Sequence, residues 1–302
     1  MSSPATGRLR VPGASLHYEV RGRGPLLLLI PGGTGGAAAF DGVAEALATE
    51  YTVASYDPRG LSRSPLDAPE AGRGAAGQSV AEQSVAEHAE DALRLLDLLS
   101  PAEPARVFGS SSGAIAALHL LTARPERLVR LVAHEPPVVE VLPDAAVHRA
   151  LLARVRDTLD AEGLMPAMAV FAAGLKKEGE EGEEEDGDGQ PATAPRPPLP
   201  PADLPPAAAA RAARTRADLP YFLGRIVPAF MAYAPDLARL RAVSERLVLA
   251  GGDESRGELP YRTAAFLAER FGRELLHFPG GHTGLTTHPA EFGEVLGRAL
   301  RK

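Results

Sequence analysis

The stretch Ala105-Arg106-Val107-Phe108-Gly109-Ser110-Ser111-Ser112-Gly113-Ala114-Ile115-Ala116-Ala117-Leu118 constrains this chain more than any other. A short apolar run meets a glycine-flanked serine, and an apolar helical pattern follows at once. The reading is strand, sharp turn, helix. Gly109 and Gly113 lack the Cβ atoms that would collide in so tight a bend. A serine at its tip, here Ser111, projects its hydroxyl above the sheet as a G-x-S-x-G nucleophile elbow. The plainer alternative is a small-residue loop that caps a helix over 112–123, because serine is a favoured N-cap. The rest of the chain decides between them.

Buried strands recur on both sides of the elbow. Pro25-Leu26-Leu27-Leu28-Leu29-Ile30 shows no polar alternation, as expected of a strand covered on both faces. It ends in Pro31-Gly32-Gly33-Thr34-Gly35-Gly36, ahead of a helix over about 37–48. Such a loop could cradle phosphate. The Lys-Ser/Thr of a P-loop and the G-x-G-x-x-G spacing are both missing, so nucleotide binding is the weaker reading. Further strands are expected at 51–56, 128–133, 246–250 and 274–278, and a hairpin turning at Pro12-Gly13 opens the chain. Helices are expected up to about 99, over 261–271 and over 289–300. Strands and helices in alternation imply an α/β fold with a mostly parallel central sheet and helices on both faces.

The pattern changes after His134-Glu135-Pro136-Pro137. From 138 to 240 the chain reads as helical without a convincing strand, with Met165, Met168, Phe171, Phe222, Phe230, Met231 and Tyr233 supplying apolar surface for packing and for the wall of a pocket. This predicts an α/β core over 1–137 and 241–302 and an inserted helical lid over 138–240. Residues 176–206 combine an acidic run with many prolines and are expected to be mobile. The pair Gln78-Ser79-Val80-Ala81-Glu82 and Gln83-Ser84-Val85-Ala86-Glu87 reads as a local duplication.

Charge and cysteine content exclude several classes. The net charge of −7 arises from eight acidic residues between Glu178 and Asp188, and the rest of the chain carries +1. No basic field for nucleic acid or for an anionic membrane is present. Without cysteine there is no disulfide framework, no thiolate zinc site and no cysteine nucleophile. No metal or cofactor motif appears, and the expected partner is a small-molecule substrate. Residues 1–10 lack a signal-peptide apolar core, and no run approaches the roughly 18 apolar residues of a membrane span. A soluble, cytoplasmic protein is expected.

In parallel sheets, ligands bind at the carboxyl ends of the strands. Gly32-Gly33-Thr34, Ser111, Asp253-Glu254 and His282 all fall at such ends, in the order serine, carboxylate, histidine. With these motifs the chain resembles the α/β-hydrolase fold superfamily over nearly its whole length, apart from the 176–206 segment. Pro31-Gly32-Gly33-Thr34 resembles the oxyanion loop, with Pro31 where histidine is usual. Asp57-Pro58-Arg59-Gly60-Leu61-Ser62-Arg63-Ser64 resembles the D-x-R-G-x-G-x-S turn, with Leu61-Ser62 departing from it. Pro279-Gly280-Gly281-His282 resembles the histidine loop. Asp57 is expected to fix its turn through a salt bridge to Arg59.

The resemblance implies a serine hydrolase that works through a catalytic triad and an acyl-enzyme. Ser111 would be the nucleophile and His282 its base. Backbone N–H groups of Ser112 and of Gly33 (or Thr34) would form the oxyanion hole. Family spacing from Gly251 selects Glu254 as the acid, with Asp253 second and Glu135 third, since some members carry the acid after the preceding strand. His17, His119 and His148 read as structural or surface residues, as do His277 and His288. The expected substrate is an ester, thioester or lactone of a largely apolar small molecule. Acyl transfer, thioesterase work and non-catalytic ligand binding are the alternatives.

Overall fold

The computed structural model describes residues 3–67, 83–176 and 206–301. The first unit of the tandem pair and nearly all of the acidic, proline-rich segment lie outside these residues. Eight strands form one sheet: β1 (Ala5–Val11), β2 (Ala14–Arg21), β3 (Leu26–Ile30), β4 (Thr52–Tyr56), β5 (Ala105–Ser110), β6 (Leu128–His134), β7 (Leu247–Gly252) and β8 (Leu276–Phe278). Their order is β1-β2-β4-β3-β5-β6-β7-β8. The hairpin β1–β2 joins β4 antiparallel, and every pairing from β4 to β8 is parallel.

The lack of alternation in β3 has a direct cause. Leu26, Leu28 and Ile30 enter one core and Leu27 and Leu29 enter another, so both faces are dry. Val107 and Phe108 of β5 divide in the same way, as do Leu131 and Val132 of β6. The helices Val85–Leu99 and Ser112–Ala123 cover the first face. Asp41–Leu47 and Pro289–Arg301 cover the second.

Between β6 and β7 the described residues form helices and no strand. Ala145–Glu162 and Leu164–Leu175 form a helical hairpin, and Pro206–Tyr221 runs through a π-helical turn, Phe222–Ile226, into Val227–Met231. These helices share a third core, in which Leu151, Leu152, Val155, Phe171, Leu223 and Met231 meet Leu259 of the sheet-covering helix Leu259–Phe271. The expected apolar stripe divides by role. Phe171, Phe222 and Met231 wall a cavity, Phe230 stacks edge-on against His88, and Met165 is 71% exposed.

Candidate active site

At the end of β5 the chain makes the bend that the sequence implies. Ser111 adopts φ 53°, ψ −123°, a region that non-glycine residues enter only when their surroundings force it. Its N–H donates to the His134 carbonyl (2.9 Å), and its own carbonyl receives the N–H of Ala114 (2.9 Å). The flanking glycines are sterically required. A Cβ on Gly109 would lie 2.7 Å from Ala114 Cα, and one on Gly113 would lie 2.4 Å from the carbonyl oxygens of both Ile30 and Pro31. Gly113 therefore lets the elbow helix press against the end of β3, where the glycine loop begins.

That loop is tied to the elbow. Gly33, at φ +59°, donates its N–H to Ser112 Oγ (3.1 Å). Asp57 anchors the other end of the loop: its Oδ1 accepts the Ala37 N–H (2.8 Å), and its Oδ2 accepts the N–H and Nε–H of Arg63 (3.0 and 2.7 Å). Burial alone would raise the Asp57 pKa. The Arg63 guanidinium and these backbone bonds outweigh burial and hold it below the usual carboxylate value. The expected Asp57–Arg59 pair is corrected here. Arg59 points to the opposite side of the turn, where Asp91 clasps it through Nε and Nη2 (2.7 and 2.6 Å). Asp57 takes Arg63 instead.

The carboxylate beside the histidine also differs from the residue ranked first. His282 Nδ1 lies 2.5 Å from Glu135 Oε2. Glu254 and Asp253 are both exposed, and Asp253 pairs with Arg256. Glu135 follows β6 at φ 48°, its N–H bound to the Ala250 carbonyl of the neighbouring β7. From that kink its side chain reaches across the end of β7, where Oε1 accepts the Gly252 N–H (2.8 Å) and the Ser255 hydroxyl. Glu135 is completely buried, which would raise its pKa. The bond to His282, electrostatic coupling to the neighbouring His134 and His282 rings and the Ser255 bond outweigh burial and keep it low.

His134 lies beneath this pair. Its ring is fully buried edge-on against Phe278 and Phe292, 6.5 Å from the His282 ring. Burial pushes its pKa down to about 4, an effect opposed by Glu135 and reinforced by His282. His134 is therefore neutral at pH 7. Of the remaining histidines, His119 bonds the Tyr233 hydroxyl and His277 bonds that of Tyr261. His88, which stands in no motif, is buried and bonds Gln83.

Ser111 and His282 open onto one cavity of about 330 Å³, with Gly33 at its rim and Phe171, Phe222 and Met231 on the facing wall. A larger cavity of about 450 Å³ adjoins it across Thr34 and Gly35 and is lined by Arg211, Arg214 and Asp218. The larger one is lined by neither Ser111 nor His282. Among the described residues there is no cluster of three metal-ligating side chains, and no helix is long and apolar enough to cross a membrane.

A strained serine between a parallel strand and a helix, sharing a cavity with a carboxylate-paired histidine, is the architecture of an α/β enzyme with its site at the strand ends. A family model of the alpha/beta hydrolase fold matches residues 25–285, and the chain belongs to that family. It is 33% identical over 300 residues to the uncharacterized hydrolase YraK of Bacillus subtilis (strain 168), covering 98% of this chain and 96% of the relative. A zearalenone hydrolase of Bionectria ochroleuca is 33% identical over 126 residues, 41% of this chain and 44% of that protein. Among solved structures, a thermophilic esterase from Thermogutta terrifontis superposes with a TM-score of 0.68 at 17% identity, over 99% of this chain and 98% of that one, a likeness of fold.

Proposed function

We propose that this hydrolase cleaves an ester, thioester or lactone bond of a largely apolar small molecule, with Ser111 as nucleophile, His282 as base and Glu135 as the acid. The observation that carries the reading is the 2.5 Å contact of His282 Nδ1 with buried Glu135, in the cavity onto which Ser111 opens. With Nδ1 committed to the carboxylate, Nε2 is left as the acceptor for the Ser111 proton. Attack of Oγ on the carbonyl carbon forms a tetrahedral oxyanion. The N–H of Ser112, at the first turn of the elbow helix, is one candidate donor to it, and that of Gly33 is a second once it turns from Ser112 Oγ, which it meets in the resting protein. Each such donor is typically worth about 3 kcal/mol in the transition state.

His282, now protonated, returns its proton to the leaving oxygen or sulfur as the acyl-enzyme forms. Water attacks by the reverse path and regenerates Ser111. The helices between β6 and β7 act as a lid, and Phe171, Phe222 and Met231 receive the apolar part of the substrate. The cavity volume is at the lower end of the ~300–1,000 Å³ usual for small-molecule sites, which favours a compact acyl group.

A fluorophosphonate probe should label Ser111, and Ser111→Ala should abolish the labelling. Turnover on a panel of p-nitrophenyl esters should then peak at short to medium chain length. Folded protein that resists the probe would identify a non-catalytic ligand binder. Faster product formation with an added alcohol or thiol would identify an acyltransferase.

A further inference from the structure

The loop after β7 presents no carboxylate to His282, and its buried polar residue is Ser255, 1% exposed. Its hydroxyl donates to Glu135 Oε1, which also accepts the Gly252 N–H at 2.8 Å. The other oxygen, Oε2, faces His282. The two carboxylate oxygens thus have separate duties. A hydroxyl has one proton to give, and the competing acceptor, the Gly252 carbonyl, is farther away at 3.2 Å.

The need for such a clamp follows from where the acid comes from. Glu135 reaches His282 from β6, across the end of β7, on a side chain with three torsions, and the terminal torsion of a glutamate is broad and two-fold. Burial removes water that would otherwise satisfy Oε1. Without the hydroxyl, Oε1 would keep only the Gly252 N–H, and the plane of the carboxylate would be set by that bond and by the His282 contact it is meant to direct.

We propose that Ser255 is a positioning residue that holds the Glu135 carboxylate in the one orientation that aims Oε2 at His282. In this arrangement β6 supplies the acid, and the loop after β7 supplies its clamp. The inference rests on the hydrolase reading above for its catalytic consequence, but the clamp itself is a property of the resting protein.

Two measurements test it on the full chain. In Ser255→Ala, kcat should fall roughly tenfold, the scale of one hydrogen bond to a charged group, while KM stays within about twofold. Ser255→Thr keeps the hydroxyl and should recover most of the loss. The downfield proton resonance of His282 Nδ1–H should be sharp in the wild type and broaden in Ser255→Ala. Thermal melting establishes that the variant is folded. A folded Ser255→Ala with unchanged kcat and an unchanged resonance overturns the proposal and leaves Ser255 as a turn residue. Failure of the fluorophosphonate probe on wild-type protein would sink the hydrolase reading alone, because the resonance reports the clamp without turnover.

Discussion

Glu135 and His282 meet at 2.5 Å across 147 residues of sequence, and the backbone kink at Glu135 makes the meeting possible. Glu254 lies in the loop where family spacing places the acid, yet it is exposed. The consequence separates the two carboxylates experimentally. Glu135→Gln keeps the shape of the side chain but leaves no charge to hold the imidazolium. It should lower kcat by roughly 10³- to 10⁴-fold, as loss of the acid does in serine hydrolases generally. Glu254→Gln should leave turnover on a p-nitrophenyl ester near normal. The reverse result would return the role to the loop after β7.

The elbow makes a steric prediction. In Gly113→Ala the new methyl would press on the carbonyl oxygens of Ile30 and Pro31, backbone atoms that cannot rotate away. Destabilisation of about 1–3 kcal/mol is expected from such overpacking, read as a lower urea midpoint. Because the same atoms begin the glycine loop, kcat should fall even at temperatures where the variant is fully folded. Intact turnover in a folded Gly113→Ala would show that the loop tolerates displacement.

A third prediction concerns the buried ion pair behind the turn after β4. Asp91 and Arg59 are 1% and 5% exposed and are joined by two short bonds. Glu87, the other acid near Arg59, stands half-exposed at 3.3 Å. Asp91→Ala would leave a buried guanidinium with only that acidic partner among the described residues. A loss of about 3–5 kcal/mol is expected, measured by chemical denaturation. A loss below about 1 kcal/mol would show that Glu87 or water takes over.

Which parts of this were legible in the sequence follows from the range of the forces involved. The elbow is dictated by neighbours within five residues, so Gly109, Ser111 and Gly113 announce it, and the helix Ser112–Ala123 begins and ends where its pattern says. β3 is readable because an uninterrupted Leu/Ile run has few other uses. The proposed acid is not readable in this way. Glu135 qualifies only because β6 lies beside β7 and because its backbone enters the left-handed region, and a sequence prints neither fact. Arg59 and Arg63 pose the same problem on a smaller scale: both stand near Asp57, and the direction of the turn alone decides which one it meets. The role proposed for Ser255 is hidden for a further reason, since it exists only if the acid comes from β6.

The last prediction concerns acid stability. His134 and His88 are both buried, and burial lowers their pKa values to about 4 and about 3 from an ordinary 6.5, with the Arg59 charge adding to the effect at His88. In the unfolded chain each would take up a proton near pH 6.5, whereas in the folded protein each resists. The unfolded state therefore binds more protons below pH 6.5, and stability falls as pH drops toward 4, by up to about 1.4 kcal/mol per pH unit for each histidine. Well above pH 6.5, where the unfolded rings are neutral too, neither contributes pH dependence. Glu135 and Asp57, both held below their ordinary values, add to the loss further down, once pH passes under the usual carboxylate range. His134→Phe isolates one contribution. The ring nitrogens of His134 have no hydrogen-bond partner among the described residues and its neighbours Phe278 and Phe292 are aromatic, so phenylalanine keeps the packing and removes the titration. Urea midpoints measured from pH 7.5 to 4.5 should fall less steeply in His134→Phe than in the wild type. Parallel curves would mean that His134 takes up its proton without unfolding the site.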